Sequence, residues 1–447
     1  MGHLMPKVVL ISPKGPLYRH RGGIFKKNLR YAPLTLTTLA SLIPDDLNLE
    51  VEILDEGIEE IDLDLDADLI GMTAITGTAK RAYELSEHFR KRNIPVVLGG
   101  PHITLAPEDA AAHADCIVTG YAEKTWPSLL RDFSKGEMQA RYDQGSDFNL
   151  EGLPLPRRDL LKKHSYLTTH TFEATRGCIH SCDFCVVPSA WGTKPFQKPV
   201  EEIIADIKQH RARKIIFLDL NLIGDTDYAA RLFEALIPLK LKWFGLSTSI
   251  LVKNKKLLDL AARSGCAGLL MGFESMSPTN LQLTGKRFNK PEDYAEISHV
   301  LHSKNITLMA CFTFGMDDDD PDVFMKTAKF AVKSNIDLPR YAIVTPFPGT
   351  GLNQRLKAEG RILTENWDLY DGQHVVFEPK RMSAQQLYDG HELAWKYTYS
   401  ATSILRRLAG SRTQIPVSIL ANTGYRFYAN NLRNFYNCDW IIGQGRV

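Results

Sequence analysis

"EATRGCIHSCDFCVVP", residues 173–188, sets three cysteines, Cys178, Cys182 and Cys185, in the spacing CxxxCxxC. Thiolates this close together point to a metal centre rather than to disulfides, because seven cysteines are an odd and modest number for 447 residues. A structural zinc site wants four protein ligands, and no second cysteine or histidine pair follows at regular spacing; His180, His164 and His170 are the candidates for a fourth. A four-iron cluster is normally held by four thiolates, so a loop with three leaves one iron with an open position where a substrate or cofactor can bind. The loop follows the run HTFEAT (170–175). Five more apolar runs come after it: KIIFLDL (214–220), KWFGLSTS (242–249), GLLMGFES (268–275), ITLMACFTFG (306–315) and RYAIVTP (340–346). Each leads into a helical segment or a long loop. Six βα units are therefore expected, a partial TIM-like barrel with its chemistry at the carboxyl ends of the strands.

Upstream, the runs KVVLIS (7–12), LEVEILD (49–55), DLIGMT (68–73), IPVVLGG (94–100) and DCIVTG (115–120) alternate with segments of helical period. Alternation of this kind predicts an α/β domain with a doubly wound parallel sheet, Rossmann-like, over residues 1–134. Ligands in such sheets sit beyond the strands' carboxyl ends, where Thr73, Thr76, Thr78, Gly99, Gly100, His102 and Gly120 gather. No GxGxxG follows the first strand, which disfavours a dinucleotide. The polar, proline-containing stretch 135–164 reads as a linker and 165–370 as the barrel. Residues 371–447 read as a small, mainly helical cap carrying Tyr425, Phe427, Tyr428, Phe435, Tyr436 and Trp440, for which ordinary packing is the preferred role.

Composition excludes several classes. The 54 basic and 52 acidic residues are dispersed along the chain, which gives no support to a nucleic-acid partner or a polybasic membrane tail. No apolar run approaches the ~20 residues that span a bilayer, and the start has no signal-peptide architecture, so a cytoplasmic location is expected. Cys116, Cys266, Cys311 and Cys438 are scattered and read as small buried hydrophobes. MDDDDPD (316–322) reads as a solvated helix cap, and TPFPGTG (345–351) as a turn with a fixed backbone path.

The CxxxCxxC loop after the first barrel strand, with Phe184 before the last cysteine, resembles the signature of the radical S-adenosylmethionine (SAM) superfamily. The stretch from GMTAITGTAK to GYAEKTWPSLL resembles the cobalamin-binding domain of the cobalamin-dependent branch. FLDLNLIGD, GFESMSP, TPFPGTGL and GQHVVFEPKRMS look like the subgroup of the anaerobic magnesium-protoporphyrin ester cyclase and hopanoid-modifying enzymes. The resemblance implies a [4Fe-4S] cluster on Cys178, Cys182 and Cys185, whose unique iron is chelated by the amino and carboxylate groups of SAM. One-electron cleavage then gives methionine and a 5′-deoxyadenosyl radical. It implies SAM contacts at Phe184, Asp219, Asn221, Ser247, Ser249, Glu274 and Ser275. Glu274 is foremost, because a carboxylate closing an apolar run needs a partner to offset its burial. TPFPGTG would lie near the SAM adenine. Cobalamin contacts are expected at Thr73, Thr76, Thr78, Gly99, Gly100, His102, Gly120 and Tyr121, the last standing in GYAE where relatives often read GEAE. The leading function so implied is methylation of an unactivated carbon. The alternatives are a radical SAM oxidoreductase or cyclase without methyl transfer, and a zinc-bearing interaction protein. Expected partners are a small-molecule, lipid-like or tetrapyrrole substrate and an electron donor such as flavodoxin or ferredoxin.

Overall fold

In the computed structural model, which describes residues 5–15, 31–145 and 148–432, the run Lys7–Ser12 (β1) is buried from Val8 onward. A strand buried on both faces must lie inside a sheet that is covered on both sides, the usual setting of parallel strands with crossover helices. β1 takes that place between Glu50–Asp55 (β2) and Leu69–Thr73 (β3). Val96–Gly99 (β4), Cys116–Thr119 (β5) and Arg141–Asp143 (β6) extend the sheet in the order β2-β1-β3-β4-β5-β6, every pair parallel. Side chains alternate along β1 with period two: Val9 and Ile11 enter one core with Phe89, Val8 and Leu10 the opposite core with Trp126. β6 lies inside the stretch expected to be linker. Its sequence, RYD, has no apolar signature because an edge strand buries little, and Thr119 bonds Asp143 across the pair.

The second sheet contains Thr171–Phe172 (β7), Lys214–Phe217 (β10), Lys242–Ser247 (β11), Cys266–Glu274 (β12), Thr307–Phe314 (β13) and Arg340–Ile343 (β14), all parallel and adjacent in chain order. These are the six expected strands, an open half-barrel. Thr175–Arg176 (β8) and Phe196–Gln197 (β9) form a short antiparallel pair that brackets the cysteine loop. Two-residue strands carry no periodicity, so the sequence offers no sign of them. Trp243, stacked on Phe233 and edge-on to Phe217, anchors the barrel core.

Three helices, Ala384–Thr398, Ala401–Ser411 and Ile415–Asn430, cover the β14 side. Trp395 donates to the Tyr341 carbonyl and packs against Tyr425 and Tyr428, which places those two aromatics in ordinary packing. Phe427 is 39% exposed. Phe435, Tyr436, Cys438 and Trp440 lie outside the described residues. The sheets are joined by long-range bonds, among them Tyr166 Oη to Asp55 (2.8 Å), Trp367 Nε1 to Asp109 (3.0 Å) and Thr171 Oγ1 to the Ala32 carbonyl (2.9 Å).

Candidate active site between the two sheets

The carboxyl ends of both sheets meet across a cavity of about 450 Å³. Thr73, Gly99, Gly100, Gly120 and Tyr121 line it from the first sheet; Glu173, Thr175, Arg176 and Gly177 line it from the barrel and lead directly into Cys178. Its apolar end runs between Gly71, Val97 and Val118 of the sheet and Leu39 and Trp126 of the covering helices. A Cβ on Gly99 would meet nothing nearer than 3.7 Å, so the absent side chain leaves space that belongs to the cavity. Gly100, at φ +102°, is demanded by the turn itself: a Cβ there would lie 2.7 Å from Thr73 Oγ1.

The wall between the sheets is built on Arg176, which bonds Glu123 of the first domain and Glu173 (2.9 Å) and lies over the Tyr121 ring at 5.3 Å. Burial works against its charge, but the two carboxylates outweigh it and raise its pKa. Tyr121 stacks on Phe148 (4.6 Å) and Trp191 (5.7 Å). The Tyr121 hydroxyl and Glu123 Oε2 are buried without a hydrogen-bond partner. Orphaned polar atoms beside an apolar slot fit a broad ligand rimmed with amides, as a corrin is.

Three expected cobalamin contacts stand elsewhere. Thr76, Thr78 and His102 do not line the cavity. His102 is fully buried, Nδ1 3.3 Å from Thr76 Oγ1 and Nε2 3.1 Å from the Tyr83 hydroxyl, with Trp367 edge-on at 5.4 Å. Its pKa is lowered by burial. Thr78 bonds the backbone of Ile75. These residues secure the turn after β3 and the contact with the Trp367 segment.

On the barrel side the cysteine loop is clamped from several directions. Asp219 accepts from the Ala174 amide (3.1 Å), the Thr175 amide and Thr175 Oγ1 (2.8 Å), so both its oxygens hold the strand end before the loop; burial pushes its pKa up to about 7 against those bonds. Asp183 bonds the backbone of Thr284 and Leu352. Asn221 Nδ2 lies 3.9 Å from Cys178 Sγ, and its Oδ1 is buried without a partner. Burial pushes Cys182 up to about 11 and raises Cys185, with Lys286 opposing in both cases. Among the described residues no three His, Cys, Asp or Glu side chains converge on the position of a single ion. A cubic cluster makes a different demand, since each thiolate takes its own iron and the sulfurs stand apart. The donor set of three neighbouring thiols and an amide therefore fits a cluster.

Glu274 has a left-handed backbone, φ +64°. Asn289 donates to the Gly272 and Phe273 carbonyls, and Tyr294 Oη to Phe273 (2.6 Å), which over-determines that turn. Glu274 Oε1 pairs with Lys286 Nζ and Oε2 accepts from Thr313 Oγ1 (2.9 Å). Both members of the pair are nearly buried, with side chains 11% and 12% exposed. Burial opposes the Lys286 charge, yet Glu274, Cys182 and Cys185 keep its pKa raised. A Cβ on Gly272 would sit 2.1 Å from Glu274 Oε1 and 2.7 Å from Lys286 Nζ, so this glycine makes the room the pair occupies.

The remaining expected SAM contacts divide. Ser249 bonds Asn289 (2.6 Å), Ser247 bonds the Thr248 carbonyl, Ser275 accepts from the Ser277 amide, and Phe184 packs on the barrel core. The TPFPGTG turn lies between the two domains, Gly349 against Leu105 and Gly351 against Asp183. MDDDDPD is not a solvated cap: Asp317 pairs with Arg355 and Arg361, and Asp319, 2% exposed, accepts from the amides of Gly315 and Met316. Lys286, Asn289, Arg176 and Trp191 escaped the sequence reading. The one available signal was a cation twelve positions after a carboxylate expected to need one.

Two family models match the chain: the B12 binding domain over residues 29–130 and the radical SAM superfamily over residues 172–331. With the geometry above they define a class, a radical SAM barrel facing a cobalamin domain. Bacteriochlorophyllide d C-8(2)-methyltransferase of Chlorobaculum tepidum is 30% identical over 381 residues, 78% of this chain and 81% of that protein. Bacteriochlorophyllide d C-12(1)-methyltransferase of the same organism is 28% identical over 359 residues, 77% of each chain. The solved structure of the cobalamin-dependent SAM radical enzyme OxsB with aqua-cobalamin bound superposes with TM-score 0.67 at 14% identity, covering 99% of this chain and 77% of that one, and shows the shared fold. The chain belongs to the family of cobalamin-dependent radical SAM methyltransferases. Its cofactors are SAM, a [4Fe-4S] cluster and cobalamin.

Proposed function

We propose that the enzyme methylates an unactivated carbon of a tetrapyrrole-like or similarly flat, apolar substrate, with Cys178, Cys182 and Cys185 as cluster ligands. When bound, the cluster with SAM supplies hydrogen-atom abstraction and cobalamin supplies the methyl group. The observation that carries this reading is the shared cavity: its cobalamin-side wall of Thr73, Gly99, Gly100, Gly120 and Tyr121 ends, on the barrel side, one residue before Cys178. The substrate class is supported by the two bacteriochlorophyllide d methyltransferases.

This chain's residues bind, orient and exclude water. Asn221 supports Cys178, and Glu274 would hold the SAM ammonium, with the Lys286 ammonium beside the thiols. The stacked Tyr121, Phe148 and Trp191 seal the cavity beside Arg176. Asp219, Ser249, Asn289 and Tyr294 are positioning residues. An electron donor of the flavodoxin or ferredoxin kind supplies the electron. A cluster held by free thiols needs a reducing compartment, which supports a cytoplasmic location.

The test is anaerobic reconstitution with SAM, cobalamin, reductant and a bacteriochlorophyllide. S-adenosylhomocysteine together with 5′-deoxyadenosine is the expected product pair, while deoxyadenosine alone would favour the oxidoreductase or cyclase reading. Cys178→Ala, Cys182→Ala and Cys185→Ala should each lose iron and sulfide and stop SAM cleavage. Zinc without iron in the wild-type protein would overturn the assignment.

A further inference from the structure

The first half of the helix Ile415–Asn430 is inside out, while its second half buries Ala429 and packs Tyr425 and Tyr428 on Trp395. The inner face of that first half is polar: Ser418 Oγ donates to the Thr413 carbonyl, and Asn422, 1% exposed, accepts from the buried Arg407 (2.9 Å), which in turn bonds the carbonyls of Ile336, Asp337 and Thr398. Its outer face near the start carries Ile415, Val417, Ile419 and Leu420, exposed by 48%, 45%, 50% and 76%. A helix normally does the reverse.

The helix begins at the amino-terminal end of the barrel, away from the cysteine loop. Gln414, the residue before it, accepts from Lys242 Nζ (2.9 Å) and donates to the Asn305 carbonyl (3.0 Å), both at strand starts. That end of the barrel is cationic. Lys214 and Lys242 face each other in register at the starts of β10 and β11, and like charges so placed repel unless an anion screens them. Arg213, Lys240 and Arg412 are exposed around them, and among the described residues none of these three, nor Lys214, has an ion pair. Three acids of the barrel are engaged with other partners: Asp337 with His302, Asp206 with Arg158, Asp259 with Lys304. Between Leu393 and Cys438 the sequence contains no Asp or Glu.

We propose that this end of the barrel docks on an anionic lipid surface, with Ile415, Ile419 and Leu420 entering the interface and Arg213, Lys214, Lys240, Lys242 and Arg412 at headgroup level. Apolar residues flanked by uncompensated cations are what such an interface recognises. A second copy of the chain fits less well, because a two-fold contact would set the same cations against each other. An acidic redox protein seated here would stand a full strand length from the cluster, roughly 30 Å for the nine residues of β12. The inference does not rest on the reaction or substrate assigned above.

The experiment is co-sedimentation of the reconstituted full chain with phosphatidylcholine vesicles, with and without about one-third phosphatidylglycerol. The wild type should bind the anionic vesicles and bind pure phosphatidylcholine at least tenfold more weakly. Ile419→Gln/Leu420→Gln and, separately, Lys214→Gln/Lys242→Gln should each raise the lipid concentration for half-binding about tenfold, with cavity-dependent cobalamin absorbance unchanged as a control on folding. Equal binding by the variants would overturn the proposal. So would no binding by the wild type, whether light scattering then shows a dimer that Leu420→Gln dissociates or a monomer.

Discussion

Glu274 and Lys286 show how one ion pair prepares a site before its ligand arrives. A carboxylate at the end of an apolar strand is costly to bury alone, and removing one partner of a buried pair costs about 3–5 kcal/mol because the other charge is stranded. Lys286→Met should therefore destabilise the protein by about that amount in anaerobic urea unfolding. Adding Glu274→Gln should recover much of it, since no uncompensated charge remains; a strictly additive pair of effects would contradict the coupling. His391 offers a pH test. It is fully buried beside Trp395 and the Tyr341 carbonyl, and burial lowers its pKa to about 4. The unfolded imidazole takes up a proton below about pH 6.5 while the folded one does not until about 4, so the unfolded state binds more protons and stability falls as pH drops through that window. His391→Gln should flatten the acid limb by up to about 1.4 kcal/mol per pH unit, read as the difference from wild type in urea midpoints.

At the scale of elements, the neighbouring glycines at the end of β4 and just after it separate function from folding. Gly99→Val places a side chain where only cavity lies within 3.7 Å, so it should weaken cobalamin binding, seen in titration of the bound absorbance spectrum, and leave the melting temperature within a few degrees. Gly100→Ala forces a Cβ into φ +102° and against Thr73 and Ala74, and should lower stability by about 1–3 kcal/mol. Equal effects of the two on stability would show that Gly99 belongs to the turn. The strands themselves were legible as runs: five of the first sheet and all six of the barrel lie within a few residues of their expected positions. β6, β8 and β9 were not. Each is too short or too polar to carry a period, and each exists because a neighbouring strand offers it hydrogen bonds.

For the molecule as a whole, Arg176 is the charged link among several between the sheets, bonded to Glu123 on one side and Glu173 on the other. Arg176→Met should strand Glu123 in the interface, lower the unfolding free energy by about 3–5 kcal/mol and lower the temperature of the calorimetric transition. A transition at an unchanged temperature would sink that role. The cations of the docking surface make the same point about distance. In sequence they lie dispersed at 213–214, 240–242 and 412 and read as an ordinary charge balance; parallel register brings them to one end of the barrel.

The sequence by itself determined the local and repetitive features: which runs become strands, the doubly wound and half-barrel architecture, and the cysteine spacing, because periodicity and a short-range motif are properties of contiguous residues. Only the tertiary structure decided that His102, Thr76 and Thr78 turn into the core while Gly99 and Tyr121 face the cavity, that Lys286 answers Glu274, and that Arg176 joins the two sheets. Those outcomes depend on partners tens of residues away, and the energy of a buried charge or an orphaned hydroxyl is set by what the fold brings beside it.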